Sequence, residues 1–130
     1  MALYRLILAL AILSAPALAQ HAEHSQPAEK PVVLIPGLGT WKHRITTKSA
    51  EAQKYFDQGL TLTYGFNRYE ALRSFRRATE LDPTAPMAWW GVSYALAPYV
   101  NMDGDPSYDI KESCAALEKG LALNPQGREK

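Results

Sequence analysis

The residue types best suited to chemistry lie mostly outside the patterned part of the chain. All three histidines, His21, His24 and His43, come early. His21-x-x-His24 has a spacing that could chelate a transition metal if His43 or a newly exposed amino terminus supplied a third donor. Two imidazoles in a polar leader are a weak metal signal, however. Asn101, Asp103, Asp105, Asp109 and Glu112 occupy the first, third, fifth, ninth and twelfth places of a twelve-residue window, which is the oxygen spacing of a calcium loop. Its sixth place is Pro106, where such a loop turns on glycine and proline's fixed φ does not serve. The acidic residues there are better read as helix-start signals. Cys114 is the single cysteine, so it has no internal disulfide partner, and its helical surroundings read as a place for a small buried residue. No Ser/His/Asp, Cys/His or paired-carboxylate arrangement emerges, and no glycine loop could cradle a phosphate. Arg68, Arg73, Arg76 and Arg77 read as a solvated helix face. No catalytic residue, metal or cofactor is therefore assigned, and an enzyme is not expected. Metal or small-ligand handling through the histidine leader stays open as the alternative.

What must position any site begins with the amino terminus. Arg5 precedes an apolar run over residues 6–15, and Ala17-Leu18-Ala19 offers a small-x-small cleavage site. This is the pattern of a secretory signal peptide, too short to span a bilayer, with cleavage expected after Ala19 and a periplasmic or secreted destination. Loss of residues 1–19 removes one basic residue, Arg5, and leaves acidic and basic side chains balanced. Bulk charge then attracts neither nucleic acid nor an anionic membrane, and no membrane span is expected after cleavage.

Residues 20–48 divide into a polar leader, read as disordered, and an extended apolar stretch, Pro31-Val32-Val33-Leu34-Ile35-Pro36-Gly37-Leu38-Gly39. The stretch superficially resembles the strand and oxyanion loop that open many α/β-hydrolases. No G-x-S-x-G elbow, acid or histidine follows, so it reads instead as a cover for apolar helix surface, with Trp41 as its plug.

Helical periodicity starts after Thr46-Thr47. Ala52, Tyr55, Phe56, Gly59, Leu60 and Thr63 recur at three- and four-residue spacing on a helix reaching about Tyr64, which Gly65-Phe66 breaks. Asn67 is an N-cap candidate for a second helix, with Glu70 able to reach back to the cap amide. Ala71, Leu72, Phe75 and Ala78 form its apolar stripe, and Asp82-Pro83 closes it. Thr84 and Pro86 open a third helix carrying Trp89, Val92 and Leu96, which ends at Pro98. After a polar loop, a fourth runs from about Ser107 to Leu123 with Ala116, Leu117, Gly120 and Leu121 inward, and Asn124-Pro125 ends it.

These helices carry an internal period of about 34 residues. Tyr55, Gly59, Leu62, Ala71, Phe75, Ala78 and Pro83 fall on the pattern W-x-x-L-G-x-x-Y, A-x-x-x-F, Ala, Pro, with Gln58 where leucine is usual. Trp89, Val92, Ser93 and Leu96 begin a second copy. After about eight inserted residues around Asp103, Ser113, Leu117, Gly120 and Pro125 complete it. The chain thus resembles the tetratricopeptide repeat (TPR) family. It is also similar to the beginning of longer exported bacterial TPR proteins, through Leu38-Gly39-Thr40-Trp41 and the run from Gln58 through Leu60, Leu62 and Tyr64 to Asn67. The resemblance implies an all-α solenoid fragment, with one repeat over residues 49–83, a second with a loop insertion over 84–125, and a tail over 126–130.

A TPR hairpin leaves an apolar face for the next to cover, and arrays of three or more are the rule. The chain is accordingly expected to be a piece of a longer array or to complete its core with a partner, self-association being one such route. The family resemblance implies protein or peptide binding, as an adaptor or assembly module, on a concave face formed by Gln53, Phe56, Leu60, Thr63, Tyr64, Met87, Trp90 and Tyr94. Phe56 and Leu60 stand where a carboxylate clamp would need polar groups, so an apolar or amphipathic peptide is the implied ligand. The competing reading is that Phe56, Trp90 and Tyr94 are simply core.

Overall fold

The computed structural model describes residues 30–99 and 109–129. They form α1 (Ala50–Tyr64), α2 (Arg68–Leu81), α3 (Pro86–Leu96) and α4 (Ile110–Ala122), then a short 3-10 turn (Gly127–Glu129). The protein is all-α, with no strand among the described residues. No helix there is long and apolar enough to cross a membrane. The signal-peptide residues, His21, His24, Asn101, Asp103, Asp105, Pro106, Ser107 and Tyr108 lie outside the described residues.

Three of the four helix starts follow from a local donor-acceptor match. Ser49 Oγ accepts from the Ala52 amide, Asn67 Oδ1 from the Glu70 amide, and Asp109 Oδ1 from the Glu112 amide. Proline occupies the first position of α3, where its missing N–H costs nothing. The reciprocal half of the expected capping box is not made. Glu70 gives both carboxylate oxygens to Arg73, and the Asn67 amide donates to Leu62 O instead.

That last bond belongs to the turn that ends α1. Phe66 donates to Thr63 O and Asn67 to Leu62 O, the paired bonds of a Schellman turn, and Phe66 sits in the left-handed region at φ 61°. Gly65, at φ −81°, stops the helix without supplying that conformation. Asn124, at φ 54°, plays the left-handed part after α4, and Pro125 prevents continuation.

α1 packs on α2 and α3 on α4, and α2 and α3 join the two hairpins. Phe75 of α2 is the joint. Its ring is fully buried, 5.6 Å from that of Phe56, and lies against Gly59 on one side and Gly91 on the other. A Cβ on Gly59 would come within 2.6 Å of the ring, and one on Gly91 within 2.3 Å, so both positions demand a bare backbone. In the second hairpin, Ser93 and Ser113 hold the positions that Gly59 and Ala71 hold in the first. Their hydroxyls lie 3.0 Å apart, and Ser113 also donates to Ser93 O at 2.9 Å. Gly120 allows α4 to approach the start of α3, since a Cβ there would lie 3.0 Å from Pro86 O.

Polar side chains hold the irregular segments to this frame. Gln58 accepts from the Ile35 amide and donates to Val33 O and Ser74 Oγ, so the residue standing where leucine is usual ties residues 31–35 to α1. Tyr55 donates to Val32 O, and Arg73 donates to Lys30 O. Asp82 gathers the Thr47 hydroxyl and Lys48 amide with the Thr84 amide and hydroxyl, joining the entry to α1 to the turn between hairpins. Arg68 donates from Nη2 to the carbonyls of Tyr94, Ala95 and Ala97, neutralising the carbonyl end of α3.

Several sequence expectations are corrected here. Arg73 is not part of a solvated face; only 8% of it is exposed, because it serves both Glu70 and Lys30. Cys114 is exposed rather than packed, since α4 turns Ser113 and Ala116 inward. The segment over residues 31–39 covers α1 chiefly through its backbone and through half-buried Val32 and Leu38, leaving Val33, Leu34 and Ile35 exposed. Trp41 is 53% exposed and plugs nothing, and Leu117 and Leu121 of α4 are exposed as well.

Candidate functional site

Apolar residues of three elements, from buried Leu60 to exposed Tyr64, Leu117 and Leu121, converge on one groove. α1 contributes Leu60 and Tyr64, α3 contributes Met87 and Trp90, and α4 contributes Leu117 and Leu121. Trp41 and His43 form its rim from the amino-terminal segment, while Pro125, Arg128 and Glu129 close the far end. The cavity is about 470 Å³, within the range of sites that hold ligands of drug or short-peptide size.

This geometry has local causes. Tyr64 is the last residue of α1, so its side chain leaves the helix where no neighbour covers it, and it remains 71% exposed. Trp41 stands edge-on to it with ring centroids 6.3 Å apart and stacks on His43 at 6.0 Å. His43 in turn lies 6.2 Å from Phe56, and its amide donates to Asp57 Oδ1. The rim is thus anchored to α1 from below while its aromatic faces remain open. At the opposite end Glu129 Oε1 accepts from the Thr46 amide, which fastens the 3-10 turn to the amino-terminal segment. Among the described residues, no group of three or more His, Cys, Asp or Glu side chains could hold a metal ion. Of the calcium-loop pattern, Asp109 caps α4 and Glu112 pairs with Arg76 at 2.7 Å.

Of the eight residues expected on a concave face, Leu60, Tyr64, Met87 and Trp90 are brought together in the groove. Phe56 is fully buried beneath it, against Phe75, and Thr63 is buried with its hydroxyl donating to Gly59 O. Gln53 is occupied by internal bonds to Ile45 N, His43 O and Asp57 Oδ1. Tyr94 is exposed beside the groove, stacked on Trp90 at 5.0 Å, with the Arg68 guanidinium 5.7 Å from its ring centroid. Phe56 is therefore core, as the competing reading held, whereas Trp90 and Tyr94 retain accessible surface.

Sequence reasoning missed Trp41, His43, Leu117, Leu121, Pro125, Arg128 and Glu129 as lining residues. The position of Trp41 in an apolar segment was legible, but its direction depends on the Gln58 and Asp57 bonds, which span 14 to 25 residues. The helical spacing of Leu117 and Leu121 marked an apolar face without showing that nothing in the described chain covers it.

A scan of protein-family models and searches of curated proteins and solved structures gave no match for this chain.

Proposed function

We propose that this chain is a TPR-type helical-hairpin module that is exported to the periplasm or secreted, and that binds an extended segment of another polypeptide as an adaptor or assembly component. The observation that carries the reading is the groove, in which Leu60, Tyr64, Met87, Trp90, Leu117 and Leu121 present one continuous apolar and aromatic wall. Exposed apolar surface gathered into a concavity favours a peptide over solvent, and rigid aromatic side chains give large contact at small entropic cost. The Phe75 joint between Gly59 and Gly91 and the Ser93–Ser113 pair support the repeat register on which the family resemblance rests. Removal of residues 1–19 after Ala19 belongs to the same reading.

Selection of random displayed decapeptides on the purified chain tests it. Enriched peptides should be apolar or aromatic and should lose at least about tenfold in affinity on Leu121→Glu, which places a charge in the groove. Leu121 is 58% exposed, so the variant should fold normally. Failure to enrich any peptide that Leu121→Glu weakens would remove this reading.

A further inference from the structure

Helix α4 leaves one face without a partner among the described residues. Ser113, Ala116 and Gly120 turn to the core, whereas Ile110, Cys114, Leu117 and Leu121 are exposed. These four follow one another at spacings of four, three and four residues, the rhythm of a two-helix seam, and so form a single stripe along the helix. The charged residues of α4 divide in the same way. Glu112 is held by Arg76 at 2.7 Å and Lys119 lies 4.7 Å from the Trp89 ring, so both serve this chain's own fold. Lys111 and Glu118 are exposed and have no ion-pair partner among the described residues. Each directly follows a stripe residue, Ile110 or Leu117, so the two stand on the same outer flank of the stripe. They are about 10 Å apart along the helix axis, beyond reach of each other.

We propose that a second copy of this chain covers the stripe, the two α4 helices lying antiparallel about a two-fold axis. Charge complementarity selects this occupant. A two-fold axis perpendicular to the seam sets the outer flank of one helix beside the outer flank of the other, so Lys111 of each copy faces Glu118 of the other and two sequence positions supply two ion pairs. The same register sets Ile110 beside Leu121 and Cys114 beside Leu117 of the other copy, so the apolar and the charged contacts agree on one alignment. A parallel pair would instead bring the outer flank against the flank of Ser113 and Gly120, which each copy packs on its own α3. The helix has 13 residues, so its seam falls below the standard interface of about 1,600 Å² and the pair should dissociate in the micromolar range. Leu117 and Leu121 also wall the groove, but the pairing needs no peptide and does not rest on the peptide-binding reading.

Sedimentation equilibrium of the full chain from about 1 to about 100 μM should show a reversible monomer–dimer equilibrium. Lys111→Glu and Glu118→Lys should each weaken it by about fivefold or more, since each turns two attractions into repulsions. An equimolar mixture of the two variants should recover the unaltered affinity within about twofold, because every facing pair is again of opposite charge, and that recovery also shows that both variants are folded. Leu117→Gln should lower association by about tenfold or more. A monomer throughout the concentration range would overturn the proposal. So would association that Leu117→Gln or the single charge variants leave unchanged, and so would single variants whose mixture does not recover. None of these results touches the peptide-binding reading, which the displayed-peptide selection decides on its own.

Discussion

Two residues show how single side chains set local energetics in this protein. Phe66 adopts a left-handed backbone, a region that costs a non-glycine residue about 1 kcal/mol, and 79% of its surface is exposed. Little packing offsets that cost, so Phe66→Gly should stabilise the chain by up to about 0.5 kcal/mol in urea denaturation, the conformational gain exceeding the added freedom of the unfolded state. Asp82 is the second case. Burial alone would raise its carboxyl, but hydrogen bonds from the Thr47 and Thr84 hydroxyls and the Lys48 and Thr84 amides outweigh burial and hold it at about 2. Because the folded value is depressed, the stabilisation is fully present above the unfolded value near 4 and is lost as pH falls towards 2. Thermal melts between pH 2 and 6 should therefore show an acid-side decline of at most about 2 kcal/mol from this group, which Asp82→Asn abolishes.

At the scale of elements, the extended segment depends on side chains rather than on a sheet. Gln58 makes three bonds that no other group duplicates: to Ile35 N, Val33 O and Ser74 Oγ. Gln58→Leu would remove all three. The helices should persist, because leucine suits a buried helix position. Backbone amides over residues 32–36 should lose hydrogen-exchange protection by about tenfold or more, since each lost bond contributes about 1 kcal/mol. Unchanged protection there would show that Tyr55, Val32 and Leu38 hold the segment without help.

For the whole molecule, the apolar junction between the two hairpins centres on one aromatic ring. Phe75 touches both Gly59 and Gly91, and α2 and α3 provide the main junction between hairpins. Phe75→Ala should cost about 3–5 kcal/mol, through lost burial and the cavity left behind. It should also separate the circular-dichroism and tryptophan-fluorescence transitions in urea, because two of the three tryptophans, Trp89 and Trp90, lie in α3 of the second hairpin. Coincident transitions at lower stability would mean that Ala71, Ala78 and Val92 keep the hairpins cooperative without the ring.

The linear order of residues was enough to determine the helices and most of their ends, although α4 starts at Ile110, capped by Asp109, rather than near Ser107. Periodicity placed α1 up to Tyr64, Asn67 named the cap of α2, Pro86 opened α3 and Asn124-Pro125 closed α4, because caps, proline and 3.6-residue spacing act within one or two turns. The buried stripe of α2, Ala71, Leu72, Phe75 and Ala78, was legible for the same reason. Only the tertiary structure decided which apolar residues remained uncovered. It buried Phe56 and Thr63, turned Leu117, Leu121 and Tyr64 into groove wall, and gave Gly91 its purpose as the seat of Phe75. It also withdrew Arg73 from solvent. These outcomes depend on contacts between residues dozens of positions apart, where spacing along the chain carries no information about which face meets which.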